Sequence, residues 1–269
     1  MLLSFCGAYS QELANHFFPR QTAVVTKLPA RKNVWVFVMA GQSNMAGRGI
    51  VEPHDTIPDP RIFTINQKNE ILVAKEPLHY YEPTRTGLDC GLSFAKTLLK
   101  SVPADVNTLM VPTAVGGSSI QQWLGDSTYR NVKLLSNARE KISVARKVGT
   151  MKGILWHQGE TNAMTNRDII GHSGSLKALT KIFRDMAGND NLPFLVAELG
   201  SFSKYAEAFV KVNEQLTAYV KADPFSAFIS TNDLHHKGDS LHFDSQGQRL
   251  MGERFANEYV SNFLTRRKR

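Results

Sequence analysis

Residues 34–49 read VWVFVMAGQSNMAGRG. The first seven are apolar and rich in β-branched and aromatic side chains. A short continuous run of that kind suits a strand covered on both faces of a sheet. The run stops abruptly at Gly41-Gln42-Ser43-Asn44, and glycines recur at 47 and 49. A strand that ends in this way puts a hydroxyl at its carboxyl end. The small neighbours Gly41 and Gly47 relax the backbone there and leave room for a ligand.

Outward from this stretch the chain alternates apolar runs and helical periods. Further strands are expected at 108–114, 153–156, 193–198 and 227–231, and helices at 92–100, 129–147, 175–186, 204–221 and 245–263. In the last helix Met251, Phe255 and Tyr259 recur four apart, a helical spacing. Alternation of this kind predicts an α/β fold built of right-handed βαβ units on a five-stranded parallel sheet. Residues 33–269 read as a single domain and residues 1–32 as an N-terminal extension. The stretch 48–90 is rich in Pro, Asp and Glu and is expected to cross the site as an excursion with little regular structure.

Composition narrows the classes. With 269 residues and 42% hydrophobic content the chain can bury one large core, so it reads as an ordinary globular protein. The net charge of +8 is partly carried by TRRKR at 265–269, a solvated end, and no zinc knuckle or RNA-stacking motif accompanies it. No nucleic-acid partner is therefore expected. No apolar run is long enough to span a bilayer, so no membrane partner is expected either. Cys6 and Cys90 form no CxxC and fit no metal-ligand spacing; they read as two unrelated thiols, with a single disulfide as the alternative. The small residues Ala8 and Ser10 after a short apolar start fit the end of an export signal, although its basic start is missing. A periplasmic or extracellular location is expected, with the cytoplasm as the alternative.

In open α/β sheets ligands bind beyond the carboxyl ends of the strands, so the residues just after each strand carry the chemistry. Ser43 follows the first strand, Gly116-Gly117 the second and His157-Gln158-Gly159-Glu160 the third. Asn232 and Asp233, then Asp239-Ser240-Leu241-His242, follow the fifth. A serine hydroxyl needs a base to take its proton, usually a histidine oriented by a carboxylate. In GDSLHFD (238–244), Asp239 lies three residues before His242, close enough for a turn to join them; Asp233, His235 and His236 offer a competing local set. Two consecutive glycines can aim a backbone N–H at an oxyanion, and the Gln158 amide can donate to the same oxygen. His157 and Glu160 lack the HExxH-like partner a metal site would need, so no metal is expected.

Together these blocks resemble the SGNH hydrolase superfamily, and within it the branch of sialate O-acetylesterases and family 6 acetylxylan esterases. MAGQSNMAGRG is similar to the nucleophile block, VGGSSIQQW to the glycine block and WHQGETNA to the third block. DSLHFDSQGQRLMGERFA is similar to the Asp-x-x-His block that leads into the final helix. The blocks stand in the family's order over about residues 34–256.

The resemblance implies a flavodoxin-like three-layer α/β/α fold. It implies Ser43 as nucleophile, His242 as base and Asp239 as its partner. The Ser43 and Gly117 amides are then oxyanion donors, with Gln158 as the third donor, where the wider superfamily uses an Asn. Gln42, Asn44, Glu160, Asn162 and Trp123 are candidate substrate-binding residues, with Tyr80 and Tyr81 as further stacking candidates. The implied activity is removal of acetyl groups from carbohydrate hydroxyls such as those of xylan or sialic acid, through an acetyl-serine and with no cofactor. A lipase or thioesterase on the same fold would need a longer apolar groove than the polar 48–90 segment suggests. A non-hydrolytic glycan-binding protein would be expected to lack Ser or His.

Overall fold

The computed structural model describes residues 23–265. The export pattern at residues 8–10, Cys6 and the basic residues 266–269 lie outside them. Strands run in chain order β1 (Val34–Gly41), β2 (Ile62–Ile65), β3 (Ile71–Val73), β4 (Asn107–Pro112), β5 (Thr128–Tyr129), β6 (Val132–Lys133), β7 (Thr150–His157), β8 (Phe194–Ala197) and β9 (Ser226–Ile229). Among the described residues, seven of them form one sheet in the order β3-β2-β4-β1-β7-β8-β9. Every neighbouring pair is parallel except the β2–β3 hairpin.

The helices are α1 (Ser43–Ala46), α2 (Gly91–Leu98), α3 (Ile120–Leu124), α4 (Leu134–Val148), α5 (Asn166–Ile170), α6 (His172–Ala187), α7 (Ala206–Ala222) and α8 (Ser245–Tyr259). The two faces of β1 show why there are three layers. Successive strand residues point to opposite faces. Val34, Val36, Val38 and Ala40 belong to one core, shared with Leu135, Ala138 and Ile142 of α4, Leu179 and Phe183 of α6 and Val212 and Leu216 of α7. Phe37 and Met39 belong to the other, shared with Phe94 and Leu98 of α2 and Met251, Phe255 and Tyr259 of α8. The four-residue spacing read in the last helix is thus its buried stripe. Leaving any of these large side chains exposed would forfeit about 1.5–3 kcal/mol each.

The sheet has seven strands where five were expected. The two additional ones, β2 and β3, lie inside the 48–90 stretch that was expected to be irregular. They escaped notice because each is short and they are separated by polar turn residues, of which Asn69 takes a left-handed φ of 65°. Residues of the supposed extension also join this edge: the Val25 N–H donates to Ile71 O and the Val73 N–H to Ala23 O. The helix expected from 129 begins at Leu134, because β5 and β6 make a tight hairpin through Arg130 and Asn131, both at positive φ.

Strand order reverses direction at β1, which is flanked by β4 on one side and β7 on the other. Connections leaving the carboxyl ends there diverge and open a crevice. Ser43, the glycine block after β4 and the block after β7 all lie at that opening.

Candidate active site

Ser43 is the first residue of α1, delivered by β1 through Gly41. Gly41 has φ of +136°, and a Cβ there would stand 2.1 Å from His157 O. Only glycine permits this close approach of β1 to β7 just before the serine. The Ser43 Oγ lies 3.0 Å from His242 Nε2. The His242 Nδ1–H donates to Asp239 Oδ2 at 2.6 Å. The other Asp239 oxygen accepts the backbone N–H groups of Leu241 (3.0 Å) and His242 (2.8 Å), so the turn that bears the carboxylate is locked by it. His236 tightens the same turn: its Nδ1 accepts the N–H groups of Gly238 and Ser240. The structure therefore brings Ser43, His242 and Asp239 together. Asp233 faces away and is held by both guanidinium nitrogens of Arg254 at 2.6 Å. That pairing lowers its pKa to about 2.

The electrostatics suit a neutral imidazole. Burial pushes the His242 pKa below its ordinary value, and the hydrogen bond and charge of Asp239 only partly offset this; the positive charge of Arg48 adds to the lowering. Burial alone would raise Asp239, but the N–H and imidazole of His242 outweigh it and hold the carboxyl below its usual range.

The glycine block is held at three points. Gly116 N–H donates to Glu82 Oε2 (2.6 Å), Gly116 O accepts from Arg130 Nε (2.8 Å), and Gly117 O accepts from Thr161 Oγ1 (3.1 Å). Glu82 is itself paired with buried Arg48 at 2.8 Å. Burial would raise the Glu82 carboxyl, but Arg48, the Gly116 N–H and Arg130 together hold it low. Among the described residues neither the Ser43 N–H nor the Gly117 N–H has a protein acceptor. Two donors thus stay available beside the serine, while Gly117 keeps a φ of +83° that an L side chain rarely adopts.

Several expected site residues have other roles. Gln158 is fully buried, and its amide donates to Gln42 Oε1, Ser118 O and Asn162 Oδ1; it ties three blocks together behind the cleft and has no donor directed into it. Asn162 is likewise buried and donates to Gln121 Oε1. Trp123 is fully buried against Trp156 and Phe183, with its indole N–H on Ser118 Oγ, so it cannot stack on a substrate. Tyr80 and Tyr81 pack on one another away from the cleft, and Tyr81 Oη donates to Pro112 O.

Asn44 is buried too, and it clamps the histidine loop on both sides. Its Nδ2 donates to Leu241 O (3.2 Å) and its Oδ1 accepts the Phe243 N–H (3.1 Å). The same Nδ2 reaches Glu160 Oε1 at 2.7 Å. Gln42 and Glu160 line the cleft.

The cleft holds about 360 Å³ and also takes in Arg48, Arg85, Gly117, Arg130, Thr161, Met164, Tyr205 and Leu241. The three arginines were not singled out from sequence. Arg48 stands inside the opening stretch, and an arginine in so apolar a segment was the available signal. Away from the cleft, Glu52, His54 and Asp55 lie close enough to share a cation, but Arg249 already bridges Glu52 and Asp55. Among the described residues no helix is long and apolar enough to cross a membrane.

A hydroxyl on a neutral imidazole, a carboxylate behind it and two free N–H groups beside it form an arrangement able to perform acyl transfer. Comparison with known proteins agrees. A family model described as carbohydrate esterase, sialic acid-specific acetylesterase, matches residues 33–261. A probable carbohydrate esterase of Arabidopsis thaliana is 27% identical over 246 residues, which cover 85% of this chain and 91% of that protein. An X-ray structure of an Arabidopsis thaliana protein superposes with a TM-score of 0.76 at 25% identity, over 86% of this chain and 99% of that one. The crystal structure of NanS gives 0.72 at 19% identity, over 90% of this chain and 100% of its own. A carbohydrate acetylesterase from Xanthomonas citri gives 0.64 at 22%, over 86% of this chain and 56% of that one.

Proposed function

Since the chain belongs to the carbohydrate-esterase family of sialic acid-specific acetylesterases, we propose that it removes acetyl groups from sugar hydroxyls through an acetyl-enzyme on Ser43. The observation that carries this reading is the continuous relay Asp239–His242–Ser43, at 2.6 and 3.0 Å. Ser43 Oγ attacks the acetyl carbonyl as His242 Nε2 takes its proton. Asp239 stabilises the imidazolium that forms and holds the ring in the required tautomer. The Ser43 and Gly117 N–H groups bind the oxyanion. His242 then gives its proton to the departing sugar oxygen, and afterwards draws a proton from the water that releases acetate.

The cleft also supports a choice of sugar. Arg48, Arg85 and Arg130 line it, against the carboxylates of Glu82 and Glu160. Arg85 and Arg130 stand at the exposed mouth. Arg48 and Arg130 already lie against Glu82, at 2.8 and 3.5 Å, so it is the exposed Arg85 that favours an acetylated sugar carrying a carboxylate, as sialic acid does, over neutral xylan. The test is acetate release from O-acetylated sialic acid and acetylated xylan, side by side, at low and moderate salt. Sialic acid should be the faster substrate, with an advantage that shrinks as salt screens the exposed Arg85. Faster release from xylan at both salt levels would refute the choice of an acidic sugar.

A further inference from the structure

A second groove of about 500 Å³ adjoins the catalytic cleft, and Met164 and Tyr205 line both. These two side chains come from separate elements. Met164 closes the short helical turn Asn162–Met164, and Tyr205 is the residue immediately before α7. They are 51% and 43% exposed, respectively. A single exposed apolar side chain needs no explanation, but two that each line both a catalytic cleft and the groove beside it do.

Tyr205 is held in place. Its backbone N–H donates to the buried Ser203 hydroxyl at 3.0 Å, and its carbonyl accepts the Phe209 N–H of the first turn of α7. Its phenol hydroxyl has no protein partner among the described residues, and the Lys204 ammonium stands 5.1 Å from the ring centroid. Beyond this plate the groove is lined by Asn166, Lys204, Glu207 and Lys211, with the small or mostly buried apolar residues Ala163, Ile169, Ala206 and Ala208 between them. An alkyl chain laid there would desolvate four polar or charged groups without compensation. A ring with an apolar C–H face and a rim of hydroxyls matches both parts of the surface.

We propose that this groove is a glycan subsite. Met164 and Tyr205 seat the pyranose next to the one that carries the acetyl ester, and Asn166, Lys204, Glu207 and Lys211 bond its hydroxyls. The protein thereby acts on acetylated sugars within a saccharide chain in preference to free monosaccharides. This inference rests on the sugar-acetylesterase reading above.

The test compares kcat/KM for O-acetylated sialic acid as the free sugar and as its sialyl-lactose trisaccharide, in wild type, Tyr205→Ala and Tyr205→Phe. Wild type should prefer the trisaccharide by about three- to tenfold, the range of one good aromatic stacking contact. Tyr205→Ala should erase that ratio, and Tyr205→Phe, which keeps the ring, should retain most of it. Equal use of both substrates by wild type, or a ratio that Tyr205→Ala leaves intact, overturns the subsite while the esterase reading stands. Acetate from neither sialic acid substrate, but from acetylated xylan, overturns the choice of an acidic sugar and this test of the subsite; acetate from none of the three defeats the esterase reading and the subsite with it.

Discussion

Among the described residues, two histidine–aspartate pairs share nearly the same local chemistry. His242 Nδ1–H meets Asp239 Oδ2 at 2.6 Å, and His79 Nδ1–H meets Asp89 Oδ2 at 2.8 Å. In both, the second carboxylate oxygen is tied to backbone N–H groups just ahead, of Leu241 and His242 in one and of Gly91 in the other. They differ at the far nitrogen. His242 Nε2 faces a serine hydroxyl, whereas His79 Nε2 accepts the backbone N–H of Ala114. They differ also in exposure: 18% and 36% for the side chains of His242 and Asp239, against 1% and 0% for those of His79 and Asp89. One pair is open to a cleft and faces the Ser43 hydroxyl. The other is sealed and serves as a rivet that holds the chain after the cis Glu76-Pro77 bond against the end of β4. A carboxylate that orients an imidazole is therefore an orienting device in either place; access and the group opposite Nε2 decide whether it supports chemistry.

The largest expected effect tests the open pair. Asp239→Asn should keep the shape, favour the wrong imidazole tautomer and remove the charge that stabilises the imidazolium. Its loss in turnover should approach 10⁴-fold, roughly the size of the same change in a serine protease. Turnover on an acetyl ester, with the fold checked by circular dichroism, measures it. A loss of only a few fold would remove the distinction between the pairs. The sealed pair should respond in stability. His79→Ala leaves the Asp89 carboxylate buried without its partner, which should cost about 3–5 kcal/mol in urea unfolding and leave kcat of the folded fraction little changed. A kcat loss comparable to that of Asp239→Asn would place His79 in the chemistry.

A smaller effect concerns pH. His242 must be neutral to take the serine proton, and burial holds its pKa below the ordinary 6.5. Activity should be full above that pKa and fall as pH drops through it, so the acid limb of kcat/KM should have its midpoint below 6.5. Asp239 partly raises His242, so in Asp239→Asn the limb should move further toward acid. A midpoint above the ordinary histidine value would contradict this account of the open pair. The smallest effect is expected for Asp233→Asn. That residue is paired with Arg254 at the surface, so turnover should stay near wild type. A crippled Asp233→Asn would reopen the choice of carboxylate.

These contrasts also mark what the sequence could reveal. The open pair was legible through the resemblance of its Asp-x-x-His block; spacing alone left a rival, because Asp233 and His236 are also three residues apart. Ser43 was legible because an unbroken apolar strand points to it. The layers followed from strands covered on both faces and from the four-residue stripe of α8. The roles of Asn44 and Gln158 were not legible. Their partners stand 116 and 199 residues away for Asn44, and 116 and 40 for Gln158 across blocks. Nothing local says whether a polar side chain after a strand turns into a cleft or back into the protein. Trp123 was misread as a stacking residue; its partner on the buried face of α3, Ile120, lies three residues earlier, and both are fully buried. Tyr205 was passed over because its wall with Met164 exists only once α7 and the turn before α5 are packed together.

The central claim is that acetyl passes through Ser43, and one measurement tests it directly. Wild type and Ser43→Ala are mixed with an aryl acetate, quenched within the first turnover and digested, and the acetylated peptide is identified by mass spectrometry. The account predicts an acetyl group on Ser43 that forms at least as fast as acetate is released, and neither label nor appreciable turnover in Ser43→Ala. Acetate released at the wild-type rate by Ser43→Ala, or a kinetically competent acetyl group on another residue, would contradict it.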